Sequence, residues 1–247
     1  MMNIALAFIT LATTQGQAQV SQEKPTASQL LTKVLSRYST ATSVSGNIVM
    51  TQSAQGQTIN VVTKLQYERP GKIFLAQQKN GKNPDAWLLV SDGETFSYND
   101  PNDATHVKRN TEYRIQNGIE QKVADLYMAA ERSLGDLNPI LDIAISQPVR
   151  LQRLKEQWAT LNVEGTAKVN GIAVQRVTGL LRVDAKTPAA GTFEIDVTDE
   201  GDIVRYGTSQ KYSFPDISKE VIEVTTIWDS NLKVGGKIDP ALYKVIR

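Results

Sequence analysis

Most of the chain alternates between apolar and polar side chains with a period of two, which is the pattern of strands with one buried face. In the clearest example, the odd-numbered positions from Ile59 to Tyr67 carry Ile, Val, Thr, Leu and Tyr, and the even-numbered positions are mostly polar. The dipeptides Asp92-Gly93 and Asn170-Gly171 favour hairpin turns between such strands. The pattern predicts about eleven strands in long antiparallel meanders.

Helical spacing marks the segment before the first strand. Thr26–Gln29 fits a capping box, in which the hydroxyl and amide side chains satisfy backbone groups at a helix start. The apolar face of this predicted helix consists of Leu30, Leu31, Val34, Leu35 and Tyr38.

The middle of the chain is also helical in its spacing. One helix is predicted over 119–134, and Asn138-Pro139 opens a second, shorter helix that runs through Ile145. The basic segment Pro148–Gln157 is ambiguous between helix and loop. These helices would interrupt the run of strands.

The predicted fold class is mainly β. A sheet of about eleven strands must curl, close or be covered. We therefore expect an incomplete antiparallel β-barrel that is covered by the N-terminal helix and the inserted helical segment. The space between helices and sheet would be either a packed core or a ligand cavity.

The N-terminus has the features of a secretory signal peptide over residues 1–18. Ile4–Ala12 is apolar apart from Thr10, and Gly16-Gln17-Ala18 offers small residues for cleavage after Ala18. The alternative is a buried first helix or strand. We expect residues 19–28 to form a flexible tether and 29–247 a single domain, so that the mature chain is a soluble exported protein without a lipid anchor.

Composition excludes much chemistry. The 247 residues include no cysteine and one histidine, His106, so thiol catalysis, zinc–thiolate sites and any centre with two histidine ligands are excluded. Lys plus Arg (27) nearly equals Asp plus Glu (26), which gives no bulk attraction to nucleic acid. We expect neither a metal nor a cofactor.

Motifs for catalysis are also missing from the sequence. It contains no phosphate-binding glycine loop and no G-x-S-x-G element. The acidic clusters at Asp100–Asp103 and Asp199–Asp202 have the residues of solvated turns. A hydrolase that uses His106 stays open as the weakest alternative, and we predict that the protein is not an enzyme.

Arg69 breaks the alternation in an informative way. Counting by twos from Ile59 through Leu65 and Tyr67 places Arg69 on the apolar side, at the rim of the sheet where Pro70 ends pairing. A guanidinium there needs acceptors, and carbonyls at a helix C-terminus would serve. The alternative is an edge arginine that points to solvent.

Three segments carry a family resemblance. Tyr67–Phe74 is similar to the RP-x-x-F element of the LolA-like superfamily of periplasmic lipoprotein carriers, and Leu89–Asn99 resembles another segment of the same proteins. Gly191–Tyr206 resembles their late strand hairpin. The resemblance implies an incomplete barrel with a helical lid over a cavity for acyl chains, and it assigns to Arg69 the role of holding the lid closed. We expect Arg69 to bond to the inserted helical segment around Leu134–Ile140.

The functional hypothesis is an exported carrier or sensor for acyl chains, lipoproteins or another amphiphile, and the resemblance implies that it is located in the periplasm. Its partners would be the amphiphile, an inner-membrane delivering complex and an outer-membrane acceptor, and we expect a monomer. The alternative is a periplasmic interaction or envelope-stress-sensor module with a filled core and no lipid cargo. The side chains expected to line the cavity are Ile48, Met50, Ile59, Val61, Leu65, Phe74, Leu89 and Phe96 from the sheet, and Val123, Leu126 and Tyr127 from the inserted helix.

Overall fold

The protein is represented by a computed structural model, which describes residues 24–99, 138–146, 148–182, 189–213 and 220–244. Within these ranges the helices are α1 (Ala27–Thr40), α2 (Pro139–Ile145), α3 (Pro148–Gln157) and a 3-10 turn at Pro240–Tyr243. The strands are β1 (Ser43–Ala54), β2 (Gln57–Glu68), β3 (Lys72–Lys79), β4 (Lys82–Asp92), β5 (Phe96–Asn99), β6 (Asn162–Val169), β7 (Ile172–Leu181), β8 (Ala189–Val197), β9 (Ile203–Ser213), β10 (Val221–Ser230) and β11 (Lys233–Val234).

All of these strands belong to one antiparallel sheet. Its order is β5-β4-β3-β2-β1-β10-β9-β8-β7-β6, and β11 pairs with the start of β1. Two meanders meet where β1 pairs with β10, in a register that runs from Ile48 opposite Ser230 to Ala54 opposite Val224. The described strands leave the sheet open between β5 and β6. The predicted fold class, an incomplete antiparallel barrel of about eleven strands with helices, is confirmed.

The hairpin turns follow from local backbone chemistry. Asn80-Gly81 and Asn170-Gly171 each place two successive residues at positive φ, as a two-residue hairpin turn requires. Asp92-Gly93 makes a longer turn, in which the Asp92 carboxylate accepts hydrogen bonds from the backbone N–H groups of Glu94 and Thr95, both at 2.8 Å. Both hairpins predicted from the sequence are confirmed.

The start of α1 has the predicted capping box. The Thr26 hydroxyl accepts from the backbone N–H of Gln29 at 3.2 Å, and the Gln29 side chain accepts from the backbone N–H of Thr26 at 2.7 Å. The helix therefore begins at Ala27, whose side chain is buried. The expected tether boundary at residue 28 is two residues too late, because the capping box makes Thr26 the last residue outside the helix.

The second predicted helix of the middle segment is confirmed as α2. The Asn138 side chain accepts from the backbone N–H of Leu141 at 3.0 Å, and Pro139 occupies the first turn. All seven side chains of α2 are buried. The ambiguous segment 148–157 forms α3, while the helix predicted over 119–134 lies outside the described residues.

We call the sheet face beneath α1 and α2 the inner face. Ile48, Leu65 and Leu75 on this face are 0% exposed, and they belong to a core that also includes Leu31 and Ile143 from the helices. Complete burial of such a side chain contributes about 1.5–3 kcal/mol. None of the helices in the described ranges is long and apolar enough to cross a membrane.

Candidate functional site

Arg69 lies where β2 leaves the sheet. β2 ends at Glu68, and the buried side chains of Leu65 and Tyr67 precede Arg69 on the inner face. The backbone N–H of Arg69 donates to the carbonyl of Thr42 at 2.9 Å, which holds this turn against the start of β1. The guanidinium is half-buried and points inward, so the position predicted from parity is confirmed.

The Arg69 guanidinium joins the C-terminal ends of two helices. Its Nε donates to the carbonyl of Ala41, the C-cap of α1, at 2.9 Å, and its Nη2 donates to the carbonyl of Tyr38 in the last turn of α1 at 3.0 Å. The same Nη2 donates to the carbonyl of Ile145, the last residue of α2, at 3.3 Å. The last carbonyls of a helix have no partner within the helix and carry partial negative charge, so a cation is stabilised there.

In the described part of the inserted segment, the partner of Arg69 is Ile145. We expected bonds around Leu134–Ile140; residues 134–137 lie outside the described residues, and the described hydrogen bonds of Arg69 do not include Asn138, Pro139 or Ile140. Because α2 begins at Pro139, the carbonyls near Ile140 accept from N–H groups four residues later, and only those at its far end are free. The bonds to α1 were not predicted.

Tyr67 supports the guanidinium from the sheet. The Arg69 guanidinium carbon lies 5.3 Å from the centre of the Tyr67 ring, and Nη1 is 3.5 Å from the Tyr67 hydroxyl. Burial raises the pKa of Tyr67, so the ring stays neutral and the contact is a cation–π interaction. Arg69 thus bonds to a strand and to two helices at one point of the rim.

On its opposite side, α1 is fixed to the turn between β8 and β9. Arg37 donates twice to the Asp202 carboxylate, at 2.5 and 2.9 Å, and the ammonium of Lys33 donates to the carbonyl of Asp199. The hydroxyl of Tyr38 accepts from the backbone N–H of Ile203 at 3.3 Å. The acidic cluster at 199–202 is therefore a turn, as predicted, and it anchors α1.

A buried ion pair joins α2 to α3. The Nε of Arg150 lies 3.3 Å from a carboxylate oxygen of Asp142, and both side chains are less than 10% exposed. Burial raises the pKa of Asp142 to about 6, and the charge and hydrogen bond of Arg150 oppose that rise. Sequence reasoning missed this pair, although a lone carboxylate in the otherwise apolar run 139–145 signals a need for a partner.

Most of the side chains expected in the cavity lie together on the inner face. Ile48, Met50, Val61, Leu65, Leu89 and Phe96 are buried in the core cluster, and Ile59 is partly buried against it. Val123, Leu126 and Tyr127 lie outside the described residues. Whether these positions bind a ligand stays a prediction.

The expectation for Phe74 is wrong. Phe74 pairs with Gln66, and the ammonium of Lys64 lies 5.7 Å from its ring centre on the exposed side of the sheet. The turn at 69–71 sets the register of β3, so that Ile73 and Leu75 face the helices and Phe74 faces away. The prediction placed Phe74 in the cavity without first establishing which face of β3 it lies on.

An aromatic cluster under α3 was also missed. The rings of Trp158 and Phe193 lie 5.7 Å apart, those of Phe193 and Tyr206 lie 6.3 Å apart, and those of Tyr206 and Trp228 lie 5.8 Å apart. The indole N–H of Trp158 donates to the Tyr206 hydroxyl at 3.2 Å. Burial raises the pKa of Tyr206 to about 12, so this hydroxyl stays protonated.

Comparisons with known proteins give matches only among solved structures, at low sequence identity. No protein-family model matches the chain, and no curated protein does. The lipoprotein LppX of Mycobacterium tuberculosis is 12% identical, with 83% of this chain and 96% of that chain covered and a TM-score of 0.40. A LolA-superfamily protein from Nitrosomonas europaea is 8% identical, with 90% and 98% covered and a TM-score of 0.36.

A structure of the Pseudomonas aeruginosa MucA/MucB complex also matches. The identity is 12%, the TM-score is 0.41, and the match covers 89% of this chain and 60% of that one. Structures of the superfamily that the sequence motifs resemble are thus among the solved structures that match the chain.

Proposed function

We propose that the protein is an exported carrier or sensor that holds acyl chains, or another amphiphile, between its helices and the inner face of its sheet. The observation that carries this proposal is the Arg69 contact, in which one rim side chain bonds to the carbonyls of Tyr38, Ala41 and Ile145. These polar bonds at the rim border an interface whose buried core is mostly apolar. Such an interface can open without exposing buried charges from the sheet.

Apolar burial alone would supply the affinity. Each methylene transferred from water contributes about 0.8 kcal/mol, so an acyl chain of about twelve carbons would gain roughly 10 kcal/mol before the cost of opening the helices. The inner-face positions expected to contact such a chain include Ile48, Leu65 and Leu89, all buried. No covalent chemistry is required, and we propose no catalytic role.

The moving part would be α2 together with α3. The described polar links of α2 to its surroundings include the Arg69 bond at Ile145 and the Asp142–Arg150 pair, whereas α1 is anchored at Arg37 and Lys33 as well as at Arg69. A charge-assisted hydrogen bond is worth about 1.5–3 kcal/mol, which shifts an open–closed equilibrium tenfold or more. The hydrogen bond from Arg69 would therefore hold the lid, formed by α2 and α3, in its closed position.

A second candidate is a periplasmic interaction or stress-sensor module with a filled core. The observation that favours it is the close burial of the inner face, where Ile48, Leu65 and Leu89 are at most 1% exposed beneath the helices. A carrier must displace a helix to admit its ligand, whereas a filled module has no such state. Ligand uptake therefore separates the two candidates.

The proposed location is the periplasm, with an inner-membrane complex as the donor and an outer-membrane protein as the acceptor. The predicted signal peptide, residues 1–18, lies outside the described residues. N-terminal sequencing of protein from an exporting host should give Gln19 as the first residue. Soluble protein that retains Met1 in the cytoplasm would contradict this location.

The test of carriage is lipid mass spectrometry on protein purified without detergent, combined with titration of a dansyl-labelled fatty acid. A carrier should contain co-purified lipid or show saturable uptake of the probe. Arg69→Leu should accelerate exchange of the bound probe, while Arg182→Leu, which removes an exposed arginine, should not. Absence of both lipid and probe binding in the wild type would favour the filled module.

A further inference from the structure

The second half of the sheet carries a groove on the face opposite the helices. It has a volume of about 600 Å³, within the range of ligand pockets. Side chains from five neighbouring strands, β6 to β10, line it. The principal ones are Glu164, Arg176, Leu180, Glu194, Ser209 and Ile227.

Strand parity shows that this groove is separate from the inner face. In β7, Val177 and Leu181 point into the core, so Arg176 and Leu180 point to the other side. Gly207 makes room there, because a Cβ at this position would come within 2.9 Å of the Glu194 side chain. The Glu194 carboxylate can therefore lie across β9 in the groove.

The charges at the groove leave an excess of carboxylates. Arg176 makes two bonds to the fully buried Asp196, at 2.7 and 2.9 Å, and lies 3.6 Å from Glu194. Beside them, Arg205 donates to Asp229 at 2.8 Å. Arg176 is thus shared between Asp196 and Glu194, and Arg205 pairs with Asp229. With the exposed Glu164, four carboxylates face two guanidinium groups, which leaves an excess of two negative charges.

The remaining lining combines hydroxyl groups with exposed apolar surface. Thr178, Thr192, Ser209 and Thr225 supply hydroxyls along the strands, and Leu180 is 52% exposed. Short hydroxyl side chains can bond to a peptide backbone, and the leucine can cover its apolar side chains. This lining suits an extended peptide better than a compact hydrophobic ligand.

We propose that this groove binds an extended segment of a partner protein that carries lysine or arginine. The five strands span about 19 Å at about 4.8 Å between neighbours, which an extended chain of about six residues covers. The basic side chain would be attracted by the excess negative charge to which Glu164 and Glu194 contribute. This interaction surface is independent of the proposed lipid site, since it lies on the opposite face of the sheet.

The test uses the full chain on an array of synthetic hexapeptides built from Thr, Ser and Val, whose two central residues are both Lys, both Val or both Glu. Attraction of lysine to Glu164 and Glu194 should give about tenfold stronger capture of the lysine peptides than of the glutamate peptides at low salt. The double variant Glu164→Gln with Glu194→Gln should abolish that preference. Glu156→Gln, which removes an exposed carboxylate on α3, should leave it unchanged.

A second variant fills the groove without touching its ion pairs. Thr225→Trp places a large side chain on β10 and should reduce capture of all three peptides, with an unchanged circular dichroism spectrum. Equal capture of lysine and glutamate peptides by the wild type, or a lysine preference that survives the double variant, would overturn the proposal. A dimer that light scattering detects in the wild type and not in Thr225→Trp would overturn it in favour of self-association.

Discussion

The guanidinium of Arg69 donates to the carbonyl of Ile145, 76 positions further along the chain, at 3.3 Å. This bond connects the rim of β2 to the end of α2. The same nitrogen bonds to Tyr38 at the end of α1. One side chain therefore fixes the ends of both helices to the rim of the sheet. Its removal should affect α2 more than α1, because α1 has further bonds through Arg37 and Lys33.

Replacement of Arg69 should lower stability in a graded way. Arg69→Leu loses the bonds to three carbonyls and should reduce the free energy of unfolding by about 2–4 kcal/mol, since charge-assisted bonds contribute about 1.5–3 kcal/mol each and the group is partly solvated. Arg69→Lys should recover only part, because an ammonium lacks the planar fork. Urea denaturation measures both, with Arg182→Leu as the control. Equal stability of the Leu and Lys variants would contradict the proposed geometry.

The buried Asp142 should give stability a characteristic pH dependence. Its pKa in the folded protein is about 6, above the ordinary value of 3.8, chiefly because of burial. The folded state thus binds this proton more tightly than the unfolded state, so this group lowers the free energy of unfolding as pH rises from about 4 to about 6. The charged groups facing it are Arg150 from α3 and, when ionised, Tyr206 from β9.

Asp142→Asn isolates that contribution. The wild type should lose stability relative to the variant between pH 4 and pH 6, and the difference should be constant above that window. Urea denaturation at pH 4.5, 5.5 and 7 measures it. Parallel curves for the two proteins across the window would show that the Asp142 pKa is not raised by burial.

The anchor of α1 should depend on salt. Arg37 and Asp202 are each about one third exposed, so their ion pair should contribute about 0.5–1 kcal/mol at low ionic strength. A double-mutant cycle with Arg37→Ala and Asp202→Ala should give a coupling energy in that range that decreases in 0.5 M salt. Additive effects of the two substitutions would mean that this pair does not anchor the helix.

Leu65 and Phe74 test which face of the sheet is the inner one. Leu65 is 0% exposed among core residues, so Leu65→Ala should cost about 2–5 kcal/mol. Phe74→Ala should cost less, because this ring lies on the other face under Lys64. In the dansyl fatty acid titration, Leu65→Glu should abolish uptake and Phe74→Glu should not. A larger effect at Phe74 in either measurement would reverse the assignment of faces.

Local features of the fold could be predicted from the sequence. Hairpins at Asn170-Gly171 and the capping box at Thr26–Gln29 depend on residues only a few positions apart, and both are present. The side of the sheet on which Arg69 lies could be predicted because the alternation along β2 is uninterrupted. These signals are short-range, so they do not need the rest of the chain to be interpreted.

Long-range features could not be predicted in the same way. The pairing of β1 with β10 joins Met50 to Trp228, and no local pattern encodes that choice. The partner of Arg69 depends on where α2 ends, which places Ile145 at the rim. Phe74 was misassigned although the inward residues of β2 and β3 are all odd-numbered, as in the pairs Leu65–Leu75 and Tyr67–Ile73.

The most direct test of the account is hydrogen exchange of the backbone amides in 138–146. If Arg69 holds the lid closed, Arg69→Leu should increase the exchange rate in this segment tenfold or more. Loss of one charge-assisted hydrogen bond shifts the open–closed equilibrium by at least that factor. Exchange in β1 and β2 should not change, and the circular dichroism spectrum should match that of the wild type. Equal protection of 138–146 in both proteins would show that Arg69 does not hold this helix and would contradict the proposed gating.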